Sequence, residues 1–452
     1  MDEFRELETY LTSHAEDIVR MLRGIPPERQ ITAFEKRLRS ERLGNPFSTF
    51  LRGDLSFREG NSDSTATANA VQFYIQHFNG STDEQIGEEP ADLKFFAYDI
   101  FKSSGITPIP FKIAGFPKAI LLTSLGDMTM EEKQVGQNVK ERARLFNSGL
   151  ELLSGLHHHG RKVIAQIVSN ERVLQALRQR NAGPHLNKAV RALRAYYSRY
   201  QGDMPNEAVE EEFRYGFSPL AWIYDNPEFR VVPEHGDFGA QNILGKKASQ
   251  EWRAENMGVI DLTNLRFNHF MLGVARLGTS FNMFLTPAEW NAGIAHYMRH
   301  SATQTYDVAK YRETLLGKIG QLHLQPDVER EIDTLFYAGA IFEPWKMLGY
   351  TDRVYLESEQ KDDRTKYKRW VFERPTLLFA REQMGRNSGL ALDYVIKNPE
   401  RFLWNEEHMR SFERLRTFWK NEGYIPAGDI GQETMEKIAE AYEEKERKLA
   451  GR

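Results

Sequence analysis

The sequence predicts an α+β chain of two lobes, a small β-rich N-terminal lobe and a large, mostly helical C-terminal lobe, with a helical segment ahead of both. Three observations carry this. Aromatic and β-favouring side chains crowd the segment 45–78 and alternate in places. From about residue 126 onward, apolar side chains recur at helical spacing. Within the helical part, two short apolar strands, "FRVVPEHG" and "MGVIDL", stand close together with Asp and Asn at their ends.

The elements follow in order. Residues 1–44 read as a helical N-terminal extension. Leu7, Leu11, Ile18 and Leu22 recur at helical spacing, and "GIPPERQ" separates two charged helices, its prolines suited to a helix start. Residues 45–125 read as the small lobe. "PFSTFLRGDLSFREG" and "AVQFYIQHF" supply about three short strands around a Ser/Thr/Asn-rich turn at Asn61–Asn69. A helix begins at Pro90 and stops at Gly105, and "PIPFKIAGFPKAILLTSLG" forms a hairpin. Residues 126–452 read as the large lobe. Its first long helix carries Leu145, Phe146, Leu150, Leu152, Leu153 and Leu156 on one face and ends at Gly160. More amphipathic helices follow, with breaks at Gly183-Pro184 and a kink at Pro344.

Composition excludes several function classes. The 452 residues are 40% hydrophobic and 27% charged, enough to bury a large core without staples. A net charge of −4 offers no basic excess, so neither nucleic acid nor an anionic membrane surface is expected as a partner. The absence of cysteine excludes disulfides, thiolate zinc sites and cysteine nucleophiles. "MDEFRELETYL" lacks the basic start and apolar stretch of a secretory signal, and no apolar run reaches the roughly 18 residues of a membrane span. A cytoplasmic location is the expectation.

The chemistry concentrates in "EHGDFGAQNIL", Glu234 to Leu244, and "GVIDLTN", Gly258 to Asn264. Asp237 lies on a loop after a strand, Asn242 follows five residues on, just before Ile243-Leu244 re-enter a strand, and Asp261 lies on the partner strand. This order brings three oxygen-bearing side chains to one rim. Asp and Asn oxygens are hard ligands suited to Mg²⁺, and a further carboxylate near a hydroxyl orients it and takes its proton. Phosphoryl transfer needs that set: a positioned acceptor and metal-neutralised phosphates, with little covalent work by the protein.

These residues carry a resemblance. "HGDFGAQN" followed by "VIDL" resembles the catalytic segment of the aminoglycoside phosphotransferase and choline kinase family, which has a bilobal protein-kinase-like fold. "LLSGLHHHG", "SSGITPIP" and "ILLTSLGDM" resemble, in the family's order, its Leu-His-x-x-Gly helix end, its link into the next strand and its hinge. The resemblance runs from about residue 47 to about 285. It implies Asp237 as catalytic base, Asn242 and Asp261 as Mg²⁺ ligands, and His235 as a structural residue of the loop. It implies ATP as the nucleotide, its adenine facing backbone groups of Thr123 to Leu125. "RGDLSF" resembles the loop over the phosphates, which gives Gly53 and Ser56 as phosphate contacts. The insertion Arg161 to Val231 would build the pocket for a small-molecule or sugar hydroxyl.

Two departures stand out. The family's strand Lys falls on Gln76 or His77, and Lys94 stands near the place of its acidic helix partner. Arg52, Arg58 or Lys94 is therefore expected to reach the phosphates instead. An acid about ten residues after Asp261 is absent from "NHFMLGVARLG". A pseudokinase that binds without transferring, and nucleotidyl transfer with a reversed nucleotide, stay open beside the kinase reading. His157 to His159 read as a polar helix end rather than a metal site, because adjacent helical residues diverge. "NEAVEEEF", Asn206 to Phe213, reads as a solvated face rather than a cation trap, and "KDDRTKYKRW", Lys361 to Trp370, as surface loop. Trp222, Trp345 and Trp404 read as core rather than as sugar platforms.

Overall fold

A computed structural model of the chain describes residues 2–39, 48–59, 69–78, 90–163, 232–262, 265–279, 283–303, 329–341, 374–421 and 431–450, with a few isolated positions between them. Asn206–Phe213, Lys361–Trp370, Trp222, Trp345, the Gly183-Pro184 break and nearly all of the insertion lie outside the described residues. The chain divides into two compact units, Met1–Leu125 and Gly126–Arg452.

Unit 1 is built on a five-stranded antiparallel sheet in the order β1-β2-β3-β5-β4. Its strands are β1 (Ile31–Arg39), β2 (Ser48–Glu59), β3 (Asn69–Phe78), β4 (Pro110–Lys112) and β5 (Ala119–Thr123). Helices α1 (Asp2–Ser13) and α2 (Ala15–Arg23) precede it, and α3 (Pro90–Phe101) lies between β3 and β4. Side chains alternate across a strand, and β2 follows that rule: Gly53, Leu55 and Phe57 are buried while Arg52, Asp54, Ser56 and Arg58 are half-buried. Leu55, Phe57, Val71, Phe73, Ile75 and Leu121 form one apolar face. Leu7, Leu11, Ala15, Ile18 and Val19 of α1 and α2 pack onto it.

This corrects the reading of residues 1–44 as a helical extension. The segment after "GIPPERQ" is strand β1, paired with β2 from Ile31↔Glu59 to Arg39↔Arg52 with a register shift between Ala33 and Glu35. "ITAFEKRLR" is rich in helix formers, so local preference pointed to helix; pairing with β2 overrides it. The two helices before it are a covering layer of the sheet. Among the described residues of the β-rich segment stand two long strands, β2 and β3, where short ones were expected.

Unit 2 is mostly helical. It opens with β6 (Met128–Thr129), α4 (Met130–Lys133) and the long α5 (Val139–Lys162). Short strands β7 (Val232–Glu234), β8 (Ile243–Gly245), β9 (Met257–Val259) and β10 (Arg266–Asn268) follow. They form two small antiparallel sheets, β6-β8-β9 and β10-β7. Helices α6 (Phe270–Thr279), α7 (Pro287–Thr303), α8 (Ala380–Lys397), α9 (Glu406–Asn421) and α10 (Gly431–Ala450) complete the described part. The buried face of α5, including Leu145, Phe146, Leu150, Leu153 and Leu156, packs against α6, α7 and β7. The α+β organisation expected from the sequence is therefore present, sheet in the first unit and helix in the second. No described helix is long and apolar enough to cross a membrane.

Candidate functional site

The site is assembled where β7, β8 and β9 meet their loops. The sharp turn after β7 needs a glycine: Gly236 has φ 76°, the left-handed region that L side chains avoid. That turn brings the ring of His235 back over its own loop. His235 is fully buried, and its Nδ1 accepts the Asp237 backbone N–H at 3.2 Å. Its proton therefore sits on Nε2, which donates to the Ile260 carbonyl at 2.7 Å. One imidazole thus ties the Asp237 loop to the strand that delivers Asp261, the structural role expected of it.

Asn242 is the second tie. Its Nδ2 donates to the Asp237 carbonyl at 2.9 Å, and its own carbonyl accepts the Ile260 N–H at 2.9 Å. The amide is fixed by that bond, so Oδ1 is turned away from the Asp237 carbonyl. Ile243 pairs with Val259 in the antiparallel ladder. Asn242 and Asp261 consequently lie at the same end of the β8-β9 pair. Both main-chain polar groups of Ile260 are used, its N–H by the Asn242 carbonyl and its C=O by His235.

Asp261 has φ 61°, and among the described residues it is the one non-glycine with positive φ. Asp tolerates this region better than most residues, but at a cost of about 1–2 kcal/mol. Such strain persists where the surroundings over-determine it, and it clusters at functional sites. Asp261 is 7% exposed, as is Asn242. Two hard oxygen donors at one strand end, one of them on a strained backbone, are chemically fit for Mg²⁺. The structure thus brings together Asp237, Asn242 and Asp261 as the sequence order implied.

A fourth residue was missed. Arg276, in the last turn of α6, forms an ion pair with Asp237 through its guanidinium and Oδ1. The signal available was a lone Arg in "FMLGVARLG", an otherwise apolar helix. A charge there needs a buried partner, but spacing alone could not name one 39 residues back.

In unit 1 the expected nucleotide residues fare differently. Gly53 and Ser56 are not on a loop. They lie in β2, an interior strand paired on both edges, Gly53 with Leu38 and Phe73, Ser56 with Glu35 and Ala70. Their backbone groups belong to the two ladders, which corrects the expected loop at these positions to a strand. Gly53 has a packing reason instead: a Cβ there would fall 2.0 Å from the Phe73 ring. "RGDLSF" misled because its Gly resembles a loop signal while its neighbours keep strand alternation.

Gln76 and His77 are both buried, on opposite faces of β3, and it is Gln76 that meets Tyr98. Gln76 alternates with Phe73 and Ile75, so it faces α3, and it is fully buried. The hydroxyl of Tyr98, also fully buried on α3, lies 3.5 Å from Gln76 Oε1. An amide and a phenol meet there where the resemblance expects a Lys–Glu pair. Tyr98 was not foreseen, because only the tertiary packing says which turn of α3 faces β3. Lys94 belongs to α3, its side chain outside the described residues. Arg52 lies 3.6 Å from Asp54. The Thr123 N–H donates to the Ile109 carbonyl at 3.1 Å and its hydroxyl accepts the Ile109 N–H at 2.9 Å, so the amide of Thr123 is committed to β4's approach. Leu125 closes the unit.

The histidine run resolves in part. His157 is 2% exposed and its Nδ1 lies 2.7 Å from the Tyr297 hydroxyl. It is a core histidine, more buried than a polar helix end would be. Burial, with help from Arg161 and His269, lowers its pKa to about 3. Burial likewise lowers His269 to about 3. Among the described residues no group of His, Asp and Glu is placed to hold a metal without other donors. Trp404 is 6% exposed and packs edge-on against Phe412, as core.

No family model and no curated protein sequence matches the chain. Among solved structures it is similar to a choline kinase from Streptococcus pneumoniae, at 13% identity and a TM-score of 0.40, covering 81% of this chain and 99% of that one. It is also similar to a choline/ethanolamine kinase family protein from Mesorhizobium loti, at 12% identity and a TM-score of 0.40, covering 84% and 92%. An ethanolamine kinase from Plasmodium vivax aligns at 12% identity and a TM-score of 0.38, covering 80% and 85%.

Proposed function

We propose that the chain is an ATP- and Mg²⁺-dependent phosphotransferase acting on a hydroxyl of a small molecule or sugar. One observation carries the reading: His235 and Asn242 tie the Asp237 loop to Ile260, so that Asp237, Asn242 and the strained Asp261 share one strand end. Asp237 would orient the acceptor hydroxyl and take its proton. Asn242 and Asp261 would hold Mg²⁺, which supplies charge neutralisation of the phosphate oxygens when bound. The chain's own contribution is orientation: main-chain ties at Asp237, Asn242 and Ile260 keep the donors in place before anything binds.

The neutral Gln76–Tyr98 pair favours a second reading, a binding module that retains the fold without transfer. Titration calorimetry with ATP and Mg²⁺, together with turnover of labelled ATP by wild type and Asp237→Asn against sugars, aminoglycosides and choline, separates the two. Asp237→Asn is expected to lose about 100-fold or more in turnover while still binding ATP. ATP binding without Asp237-dependent turnover would leave the binding module, and AMP rather than phosphate on the product would indicate nucleotidyl transfer.

A further inference from the structure

Asp237 is held by its main chain, but a carboxylate on a loop still turns about two side-chain torsions. Arg276 removes that freedom. It leaves α6, where Phe270, Met271, Leu272, Val274, Ala275 and Leu277 are all buried, and its guanidinium meets Asp237 Oδ1 with the two side chains 11% and 21% exposed. A permanently charged, planar fork engaging one carboxylate oxygen leaves the other, Oδ2, with a defined direction. The pair is also set on a rigid support. The helix carrying Arg276 packs on α5, and β10 just before it pairs with β7, which leads directly into the Asp237 loop.

We propose that Arg276 is a positioning residue for phosphoryl transfer: it holds Oδ1 of Asp237 so that Oδ2 faces the acceptor hydroxyl and is kept from swinging toward Asn242 and Asp261, the residues that would hold Mg²⁺. The inference rests on the phosphotransferase reading. In the step it serves, the acceptor oxygen bonds to the γ-phosphorus as the bond from phosphorus to the β–γ bridging oxygen breaks. The hydroxyl proton passes to Asp237, and ADP leaves with that bridging oxygen. With water as acceptor the products are ADP and inorganic phosphate, so the test needs no knowledge of the natural acceptor.

The experiment measures phosphate release from ATP and Mg²⁺ by wild type, Asp237→Asn, Arg276→Ala and Arg276→Lys, with and without methylguanidinium. Arg276→Ala is expected to lower kcat by up to about 100-fold, the scale of a misplaced catalytic group, with KM for ATP unchanged. Methylguanidinium is expected to restore part of that rate to Arg276→Ala and none to Asp237→Asn. Arg276→Lys keeps the charge without the fork and is expected to fall about 10-fold in kcat; it serves alone should the alanine variant fail to fold. Wild-type kcat in either Arg276 variant overturns the inference, as does a folded Arg276→Ala whose lost rate methylguanidinium does not recover. Absence of Asp237-dependent phosphate release in the wild type overturns the phosphotransferase reading itself, and the role of Arg276 with it.

Discussion

Asp261 has φ 61°, a conformation that glycine adopts freely and alanine does not. Its backbone and its side chain therefore pull in opposite directions. Replacing it with glycine relieves the backbone and removes the carboxylate; alanine removes the carboxylate and keeps the strain. Asp261→Gly is expected to be more stable than Asp261→Ala by about 1 kcal/mol in urea denaturation, with both losing ATP turnover. Equal stabilities would show that the strain is not borne there. His157 and His269 make a separate prediction at this scale. Both have folded-state pKa values near 3, held down first by burial, against an ordinary value of 6.5. Their neutral forms are native, so the stability they permit is fully present above pH 6.5. Below it the unfolded chain binds protons that the folded chain refuses, and stability falls until about pH 3. The slope approaches about 1.4 kcal/mol per pH unit for each histidine. His269→Asn is expected to flatten the decline of the denaturation midpoint between pH 6 and pH 4; an unaltered slope would refute the assignment.

Among the elements, α4 has an influence out of proportion to its four residues. It packs against the turn Ala240–Asn242, and β6 just before it pairs with β8. A capping box fixes its start, the Thr129 hydroxyl accepting the Glu132 N–H at 3.1 Å and Glu132 accepting the Thr129 N–H at 2.9 Å. Glu131 is 2% exposed and is held from the far end of the chain. Arg374 donates at 3.1 Å, Tyr442 lies at 3.4 Å, and Thr376 donates to the same carboxylate. Burial, reinforced by the Glu131 charge, pushes the Tyr442 phenol well above its ordinary pKa, so it stays a donor. Lys445 of α10 reaches Glu132 at 3.0 Å. The C-terminal helix thus braces the element behind the Ala240–Asn242 turn. Glu131→Ala takes the carboxylate away from the half-buried Arg374 guanidinium and from the Thr376 and Tyr442 hydroxyls, and is expected to cost about 2 kcal/mol, measured by chemical denaturation. A change under about 0.5 kcal/mol would mean that water replaces the carboxylate.

For the molecule as a whole, the first unit depends on residues placed before its sheet. Leu7 and Val19 are fully buried and Leu11 is 2% exposed, all against the β2-β3 face. A sheet with that face bare would expose a contiguous apolar surface. Val19→Ala and Leu11→Ala are expected to cost about 2–4 kcal/mol each in the unfolding transition of unit 1. Removal of residues 1–23 should abolish that transition in calorimetry and leave that of Gly126–Arg452. An unchanged unit 1 transition in the truncated chain would overturn the covering role of α1 and α2.

Much of this was legible in advance. The α+β organisation follows from side-chain periodicity, which is local: period two in β2, helical spacing in α5, Pro90 opening α3. The order of Asp237, Asn242 and Asp261 was also readable, because short strands and tight turns leave the chain little choice of path between them. Composition alone removed disulfide, thiolate and cysteine chemistry. What only the tertiary structure decided is pairing between distant residues. It turned "ITAFEKRLR" into a strand, put Gly53 under Phe73 inside a sheet, set Tyr98 against Gln76 and delivered Arg276 to Asp237. Each of these depends on a partner tens of residues away, and local propensities worth a few tenths of a kcal/mol per residue yield to burial and pairing energies several times larger.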